Sequence, residues 1–463
     1  MALIKSISGI RGTIGGKAGE NLTPQDIVEC TAAFGTWLLG KGAAPKIIIG
    51  RDARISGPLV SNLVTQTLLS LGIDVVDLGL STTPTVEMAV PALEAGAGII
   101  LTASHNPRQW NALKLLNAKG EFISAADGEA FLSLIDGGGI DYATVDELGS
   151  YVARQDMIDY HINRILDLDT VDVSLVREKK FKVVVDCINS SGAIAMPPLL
   201  EKLGCEYLLI NATPDGNFAH NPEPLPQHLT DLAETVLKEK ADMGIAVDPD
   251  VDRLVFVNED GSPFGEEYTL VAVADYILKH KKGNTVSNLS SSRALRDVTQ
   301  KHGGSYFAAA VGEVNVVEKM KAENAVIGGE GNGGIILPEL HYGRDALVGV
   351  AILLTYLAKT GQKMTELRSG YPSYFMTKDK VDLDPSLDME ALLQQMHDRY
   401  KSEDCNTIDG LKIDFAESWV HLRKSNTEPI IRIYAEAKNE ALAVELVAKI
   451  KADFEEMSGL GAR

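Results

Sequence analysis

The chain has 463 residues, 45% of them hydrophobic and 23% charged, with a formal net charge of −20. That length implies three or four domains, and the composition is that of a globular protein rather than a disordered one. The acidic balance argues against nucleic acid or an anionic membrane as partner, and admits a small anionic substrate only where cations cluster locally.

The opening MALIKSISGIRG lacks the apolar stretch of a secretion signal, so a cytoplasmic protein is expected. Helices are expected over 24–40 and over 57–72, the second stopping at Gly72 as a C-terminal cap. Between and after them run short Val/Ile-rich segments at 46–50, 73–79, 97–102, 181–186, 205–210, 243–248, 284–289 and 324–329. Their apolar character is continuous rather than alternating, as in parallel strands covered on both faces. The longest apolar run, 346–358, is too short for a bilayer and suits a buried helix. The last stretch changes pattern: a helix over 388–400, strands joined by a turn over 412–437, then a closing helix. Within it Ile431, Ile433 and Ala435 share one strand face, and Arg432, Tyr434 and Glu436 the other. The fold class is therefore α/β with a smaller C-terminal α+β domain, divided as 1–150, 151–258, 259–370 and 371–463. Cys30, Cys187, Cys205 and Cys405 form no CxxC pair and read as reduced thiols.

Five polar loops carry the chemistry, four of them at strand ends, where α/β sheets bind ligands. Asp248, Asp250 and Asp252 alternate, and alternate residues of an extended segment point the same way. Three such carboxylates need a cation, and hard oxygen ligands favour Mg2+ or Ca2+. A calcium-loop reading fails because Arg253 holds the position that requires glycine. Gly329, Gly331 and Gly334 satisfy GxGxxG, but the loop runs into a strand-like segment with Pro338, which excludes a dinucleotide fingerprint. Glu330 and Asn332 remain as hydrogen-bonding partners for sugar hydroxyls. The loop 423–429 gathers Arg423, Lys424, Ser425, Asn426 and Thr427, an anion nest or a plain polar turn. Adjacent Ser104 and His105 project apart, so a nucleophilic triad is not built from them. A serine near a cation can nevertheless carry a phosphoryl group.

Taken together, GIRG (9–12), GRDAR (50–54), TASHNP (102–107), DPDVDR (248–253), GEGNGG (329–334) and RKSNTEP (423–429) resemble, in order, the motifs of the α-D-phosphohexomutase superfamily. The resemblance spans essentially the whole chain. It implies three related α/β domains with mixed sheets and a C-terminal α+β domain around a central cleft. It implies that Ser104 is the phosphorylated residue, that Ser104, Asp248, Asp250 and Asp252 bind one Mg2+ per chain, and that Lys114 is the general acid/base. Such a lysine would need a depressed pKa from neighbouring cations. His105, Arg11 and Arg253 join the catalytic set. Glu330 and Asn332 would bind the sugar. Arg423, Ser425, Asn426, Thr427 and Arg432 would bind the distal phosphate. The partner implied is a small hexose phosphate, with a hexose bisphosphate as activator and intermediate, in a monomer or homodimer.

Two departures stand out. Asn111-Ala112 precedes the lysine segment where the family usually has Asn-Gly, and Gly334 stands where many members place histidine. The loop GEGNGG looks like a branch assigned to glucosamine phosphate, whereas SNTEP looks like the glucose and mannose enzymes. The sugar loop touches the discriminating hydroxyls, so the expectation is glucosamine phosphate, with glucose and mannose phosphates as the alternative. A Mg2+-dependent phosphatase and a non-catalytic sugar-phosphate binder are the readings from other classes.

Overall fold

The computed structural model describes residues 3–6, 9–382, 388–424 and 430–458. The chain divides into two compact units: residues up to Lys281 with Asn332–Arg368, and Lys282–Gly331 with the chain from Ser369 onward.

In the first unit the helix Pro24–Gly40 begins as its sequence dictates. Pro24 occupies the first turn, Thr23 caps it, and the Asp26 carboxylate accepts the Thr23 backbone N–H at 3.1 Å. Ile27, Cys30, Phe34 and Leu38 repeat at helical spacing and are fully buried. The helix Gly57–Ser70 ends with Leu71 as its cap and Gly72 at φ +75°, the stop expected there.

These helices cover a seven-stranded sheet in the order Leu3–Ser6, Gly9–Thr13, Trp110–Leu116, Ala97–Leu101, Lys46–Arg51, Asp74–Leu80, Tyr151–Ala153. The strands Ala97–Leu101, Lys46–Arg51 and Asp74–Leu80 are parallel, as their continuous Ile/Val runs require. Trp110–Leu116 runs antiparallel between Ala97–Leu101 and Gly9–Thr13. No strand was expected over these residues, and this one makes the sheet mixed. Asn111, Leu113 and Leu115 are buried against one layer, and Lys114 sits opposite Gly9 in register. A Cβ at Gly9 would stand 2.2 Å from Leu113 O, so only glycine fits this pairing.

The second sheet has Glu206–Ile210, Lys182–Asp186 and Met243–Val247 parallel, and Leu254–Asn258 returning antiparallel to Met243–Val247. Val247 pairs with Leu254, so residues 248–253 are a tight hairpin loop. The helix Ala346–Thr360 is buried from Ala346 to Ala358 and closes at Gly361, φ +70°. Among the described residues no helix is long and apolar enough to cross a membrane.

In the second unit Asn284–Asn288 lies parallel to both Tyr306–Ala309 and Ala325–Glu330. The C-terminal sheet is antiparallel, in the order Phe375–Asp382, Ile430–Ala437, Trp419–Lys424, Leu411–Asp414, Asp404–Asn406. Ile431, Ile433 and Ala435 pack with Leu392, Met396, Val447, Ile450 and Phe454 from the two C-terminal helices. The opposite face is only partly exposed: Glu436 is 1% exposed, with Trp419 Nε1 donating to it at 2.8 Å.

All four cysteines are free thiols; burial pushes those of Cys30 and Cys205 up to about 12.

Candidate active site

The strand Met243–Val247 delivers Asp248 to the end of the second sheet. Convergence of the three aspartates does not come from an extended segment, as alternation implied. Val251 N–H donates to Asp248 O at 3.1 Å, and Val251 itself lies at φ +62°, a costly conformation for a β-branched residue. The loop so folded brings ligand oxygens of Asp248, Asp250 and Asp252 within 4.8 Å of one another, all three side chains buried. Asp248 Oδ1 accepts the backbone N–H groups of Asp252 and Arg253, both at 3.1 Å.

Ser104 comes from the turn after Ala97–Leu101. It too is left-handed, φ +48°, with its N–H donating to Thr102 Oγ1 at 2.9 Å. Its Oγ donates to Asp248 Oδ2 at 2.7 Å. Ser104 therefore caps no helix; it is aimed at the acidic loop. Arg54, fully buried, holds this turn open from beneath: its guanidinium donates to the carbonyls of Ser104, Asn106, Pro107 and Trp110, and its Nε to Asp52 at 3.0 Å. Asp52 in turn accepts from Thr102 Oγ1 at 2.6 Å.

Lys114 Nζ lies 2.7 Å from Asp250 Oδ2 and 3.4 Å from Asp252 Oδ2. Burial works against its ammonium and Arg344 adds to that, but the two aspartates outweigh both and the pKa is raised. The depressed amine expected for this lysine is thus not found; its nearest charges are carboxylates, not cations. Asp248 is pushed well above the usual carboxylate range, by burial first and then by its neighbours Asp252 and Asp250. Asp250 goes the other way: burial opposes its charge, and Lys114 overcomes it. His105 is lowered to about 2, by burial and then by the Arg253 charge, so its imidazole stays neutral at physiological pH. Arg253 lies 3.5 Å from Glu223. Arg11 stands on Gly9–Thr13 opposite Ala112.

Two buried oxygens, Asp250 Oδ1 and Asp252 Oδ1, have no hydrogen-bond partner among the described residues. Buried carboxylate oxygens left in this state are costly, and an all-oxygen cage with spare lone pairs fits a hard divalent cation.

Several contributors escaped sequence reasoning. Thr83 Oγ1 donates to Asp250 Oδ2 at 2.6 Å, and its backbone N–H to Asp250 O at 2.9 Å. Arg344 Nη2 donates to Asp252 Oδ2 at 2.7 Å. A signal for Arg344 was present: the tetrapeptide GRDA occurs at 50–53 and again at 343–346. The Gly334 departure now has a physical reason. A Cβ there would stand 2.3 Å from Arg344 Cδ, so the glycine clears the path of this arginine to the acidic loop.

Asn332 is half-buried, its Oδ1 accepting Gly334 N–H at 3.2 Å. In the second unit Glu330 is buried at the end of Ala325–Glu330, accepting from Asn288 Nδ2 at 2.8 Å and Gly312 N–H at 3.2 Å. Arg423 and Arg432 are direct cross-strand partners, with Arg423 Nε 2.8 Å from Asp409 Oδ2. Ser425, Asn426 and Thr427 lie outside the described residues.

Four family models match in succession: phosphoglucomutase/phosphomannomutase alpha/beta/alpha domain I over residues 3–136, domain II over 159–261, domain III over 265–374 and the C-terminal domain over 380–453. A phosphoglucomutase/phosphomannomutase of Thermococcus kodakarensis is 36% identical, over 94% of this chain and 96% of the relative. A phosphoglucosamine/phosphogalactosamine mutase of Sulfurisphaera tokodaii is 34% identical, over 97% and 99%. Among solved structures, a phosphoglucomutase/phosphomannomutase family protein of Burkholderia thailandensis superposes with a TM-score of 0.86 at 26% identity, over 98% of this chain and 97% of that one. A mixed α/β fold matched domain by domain, relatives aligned end to end, and a serine aimed into an acidic cage agree on one conclusion: the chain belongs to the phosphoglucomutase/phosphomannomutase family, phosphohexomutases that act as isomerases by moving a phosphoryl group within a sugar phosphate.

Proposed function

We propose that this enzyme interconverts hexose 6-phosphate and hexose 1-phosphate through phospho-Ser104 and a hexose bisphosphate, with glucosamine phosphate as its preferred substrate. The observation that carries the reading is Ser104 Oγ donating at 2.7 Å into a cage of three buried aspartates. Asp248, Asp250, Asp252 and the Ser104 phosphoryl oxygens would hold one Mg2+, which neutralises charge on the transferring group.

In the forward half the Oγ–P bond of phospho-Ser104 breaks and a bond from phosphorus to the free sugar hydroxyl forms. Lys114, already an ammonium, gives a proton to the departing Ser104 Oγ and takes up the one the hydroxyl loses. Arg253 and Arg11 face the developing charge, and neutral His105 lines the turn. The bisphosphate then presents its other phosphoryl group, which returns to Ser104. Glu330 and Asn332 bind the sugar hydroxyls. Arg423, which also lies beside Asp409, and its cross-strand partner Arg432 grip the distal phosphate with Ser425, Asn426 and Thr427.

Gly334 and the Sulfurisphaera relative support the amino sugar. The Thermococcus relative supports glucose and mannose phosphates as the second reading. A cytoplasmic enzyme, monomer or homodimer, with domains divided near residues 150, 258 and 370, completes the proposal. Phosphorus NMR tests the sugar: with Mg2+ and a trace of bisphosphate, the 1-phosphate signal should grow fastest from glucosamine 6-phosphate. Faster growth from glucose or mannose 6-phosphate would reverse the choice, and free phosphate alone would make the chain a phosphatase.

A further inference from the structure

A second cluster of ligand-type side chains borders the acidic loop, where Ala346 N–H donates to Val251 O at 3.2 Å, but shares no ligand with it and has no role in the reaction proposed above. His161 comes from the helix Met157–Leu166, His341 from the turn after Gly334–Ile336, and Asp345 caps the helix Ala346–Thr360. One nitrogen of each histidine and one carboxylate oxygen of Asp345 lie within 4.8 Å of one another. The inner atoms are specific: His161 Nε2 is 2.8 Å and His341 Nε2 3.4 Å from the same oxygen, Asp345 Oδ2.

We propose that His161, His341 and Asp345 form a second cation site, for a borderline divalent metal such as Zn2+ rather than Mg2+. Three features separate it from an ordinary ion pair. First, the His161 imidazole is oriented through its outer nitrogen, Nδ1 lying 3.0 Å from Thr85 Oγ1, while His341 Nδ1, without a hydrogen bond among the described residues, faces the Glu87 carboxylate at 3.4 Å. Metal-ligating histidines are fixed in this way, by a hydroxyl, carboxylate or carbonyl on the nitrogen that faces away from the ion. Second, Asp345 Oδ1 is committed to the helix, accepting from Leu347 N–H at 2.8 Å and Val348 N–H at 3.3 Å, so only Oδ2 is offered inward. Third, Glu87 and Asp345, each 1% exposed at the side chain, place two negative charges on His341: burial opposes its imidazolium, but they outweigh that and raise its pKa to about 10, and one divalent cation would take the place of that proton. Two imidazoles and a carboxylate suit Zn2+, Co2+ or Ni2+, whereas the all-oxygen acidic loop suits Mg2+. His341 keeps 11% of its side chain exposed, which provides an entry path and an edge for a fourth ligand. The loop is shaped tightly around this point, since a Cβ at Gly343 would stand 1.8 Å from Glu87 Oε2.

The test uses the full chain, stripped with chelator and returned to excess Mg2+ so that oxygen-only sites are filled. Titration with Co2+ should give one equivalent bound, with the intense visible bands of a four-coordinate nitrogen/oxygen site, displaced by Zn2+. Stoichiometric Zn2+ should raise the melting temperature by several degrees, as binding to the folded state alone requires. The double variant H161Q/H341Q should lose both the bands and the shift, while Asp250→Asn keeps them. Absence of the bands in the wild type would overturn the site without recourse to any variant. Bands that persist in the double variant would overturn the ligand assignment.

Discussion

Ser104 and Val251 share an unusual property: each is a non-glycine residue held in the left-handed region, at φ +48° and +62°, and each shapes a turn that meets the other's. Strain of this kind costs on the order of 1–3 kcal/mol and survives only where the surroundings impose it. Here Arg54 imposes it on one turn through four backbone carbonyls. Ser104→Ala keeps that turn and removes the phosphoryl carrier, so turnover should fall roughly a thousandfold or more with an unchanged melting temperature. Near wild-type turnover would end the phosphoserine role. Gly334→Ala places a methyl group against Arg344 Cδ, an overpacking worth about 1–3 kcal/mol. It should lower kcat/KM about tenfold by pushing Arg344 off Asp252; unaltered kinetics would mean that the arginine does not support the acidic loop.

At the scale of the element, the helices were the most readable part of the sequence. Gly72 was read as a stop from the sequence, and the structure finds start and stop signals of the same kind at Thr23, Pro24, Asp26 and Gly361. The strand Trp110–Leu116 was hidden because it is an antiparallel insertion buried between two neighbours, with a charged Lys114 in its middle. No apolar run marks such a strand: one partner, Gly9–Thr13, lies about 100 residues upstream, and the other, Ala97–Leu101, precedes it across the polar turn that carries Ser104. The cap at Thr23 makes a checkable claim. Burial opposes the Asp26 charge, but hydrogen bonds from Thr23 and Gly19 outweigh it and hold the pKa below its ordinary 3.8. A carboxylate whose folded pKa is depressed stabilises above the unfolded value and loses that contribution as pH falls through the folded one. Thr23→Ala should therefore cost about 1 kcal/mol at pH 7, and the deficit should shrink below pH 4. A deficit constant from pH 7 to pH 3 would contradict the pairing.

Across the whole molecule, the order of the loops was legible because each follows a strand and has its own residue chemistry. Three aspartates in five positions point to a cation from sequence alone. What could not be read was convergence. Thr83, Lys114 and Arg344 reach Asp250 and Asp252 from separations of 92 to 167 residues. The charge state of Lys114 followed from that convergence, which is why the expectation of a depressed amine failed. The acidic cage also carries a global prediction. Excess chelator should abolish turnover and lower the melting temperature, and Mg2+ should restore both; full activity in chelator would remove the cation from the account.

The most direct test is to treat the protein with Mg2+ and a hexose 1,6-bisphosphate and locate any added phosphoryl group by peptide mass measurement. The account expects one phosphoryl group, on Ser104, lost again when hexose monophosphate is added. A phosphoryl group on another residue, or turnover that proceeds with Ser104 unmodified, would contradict it.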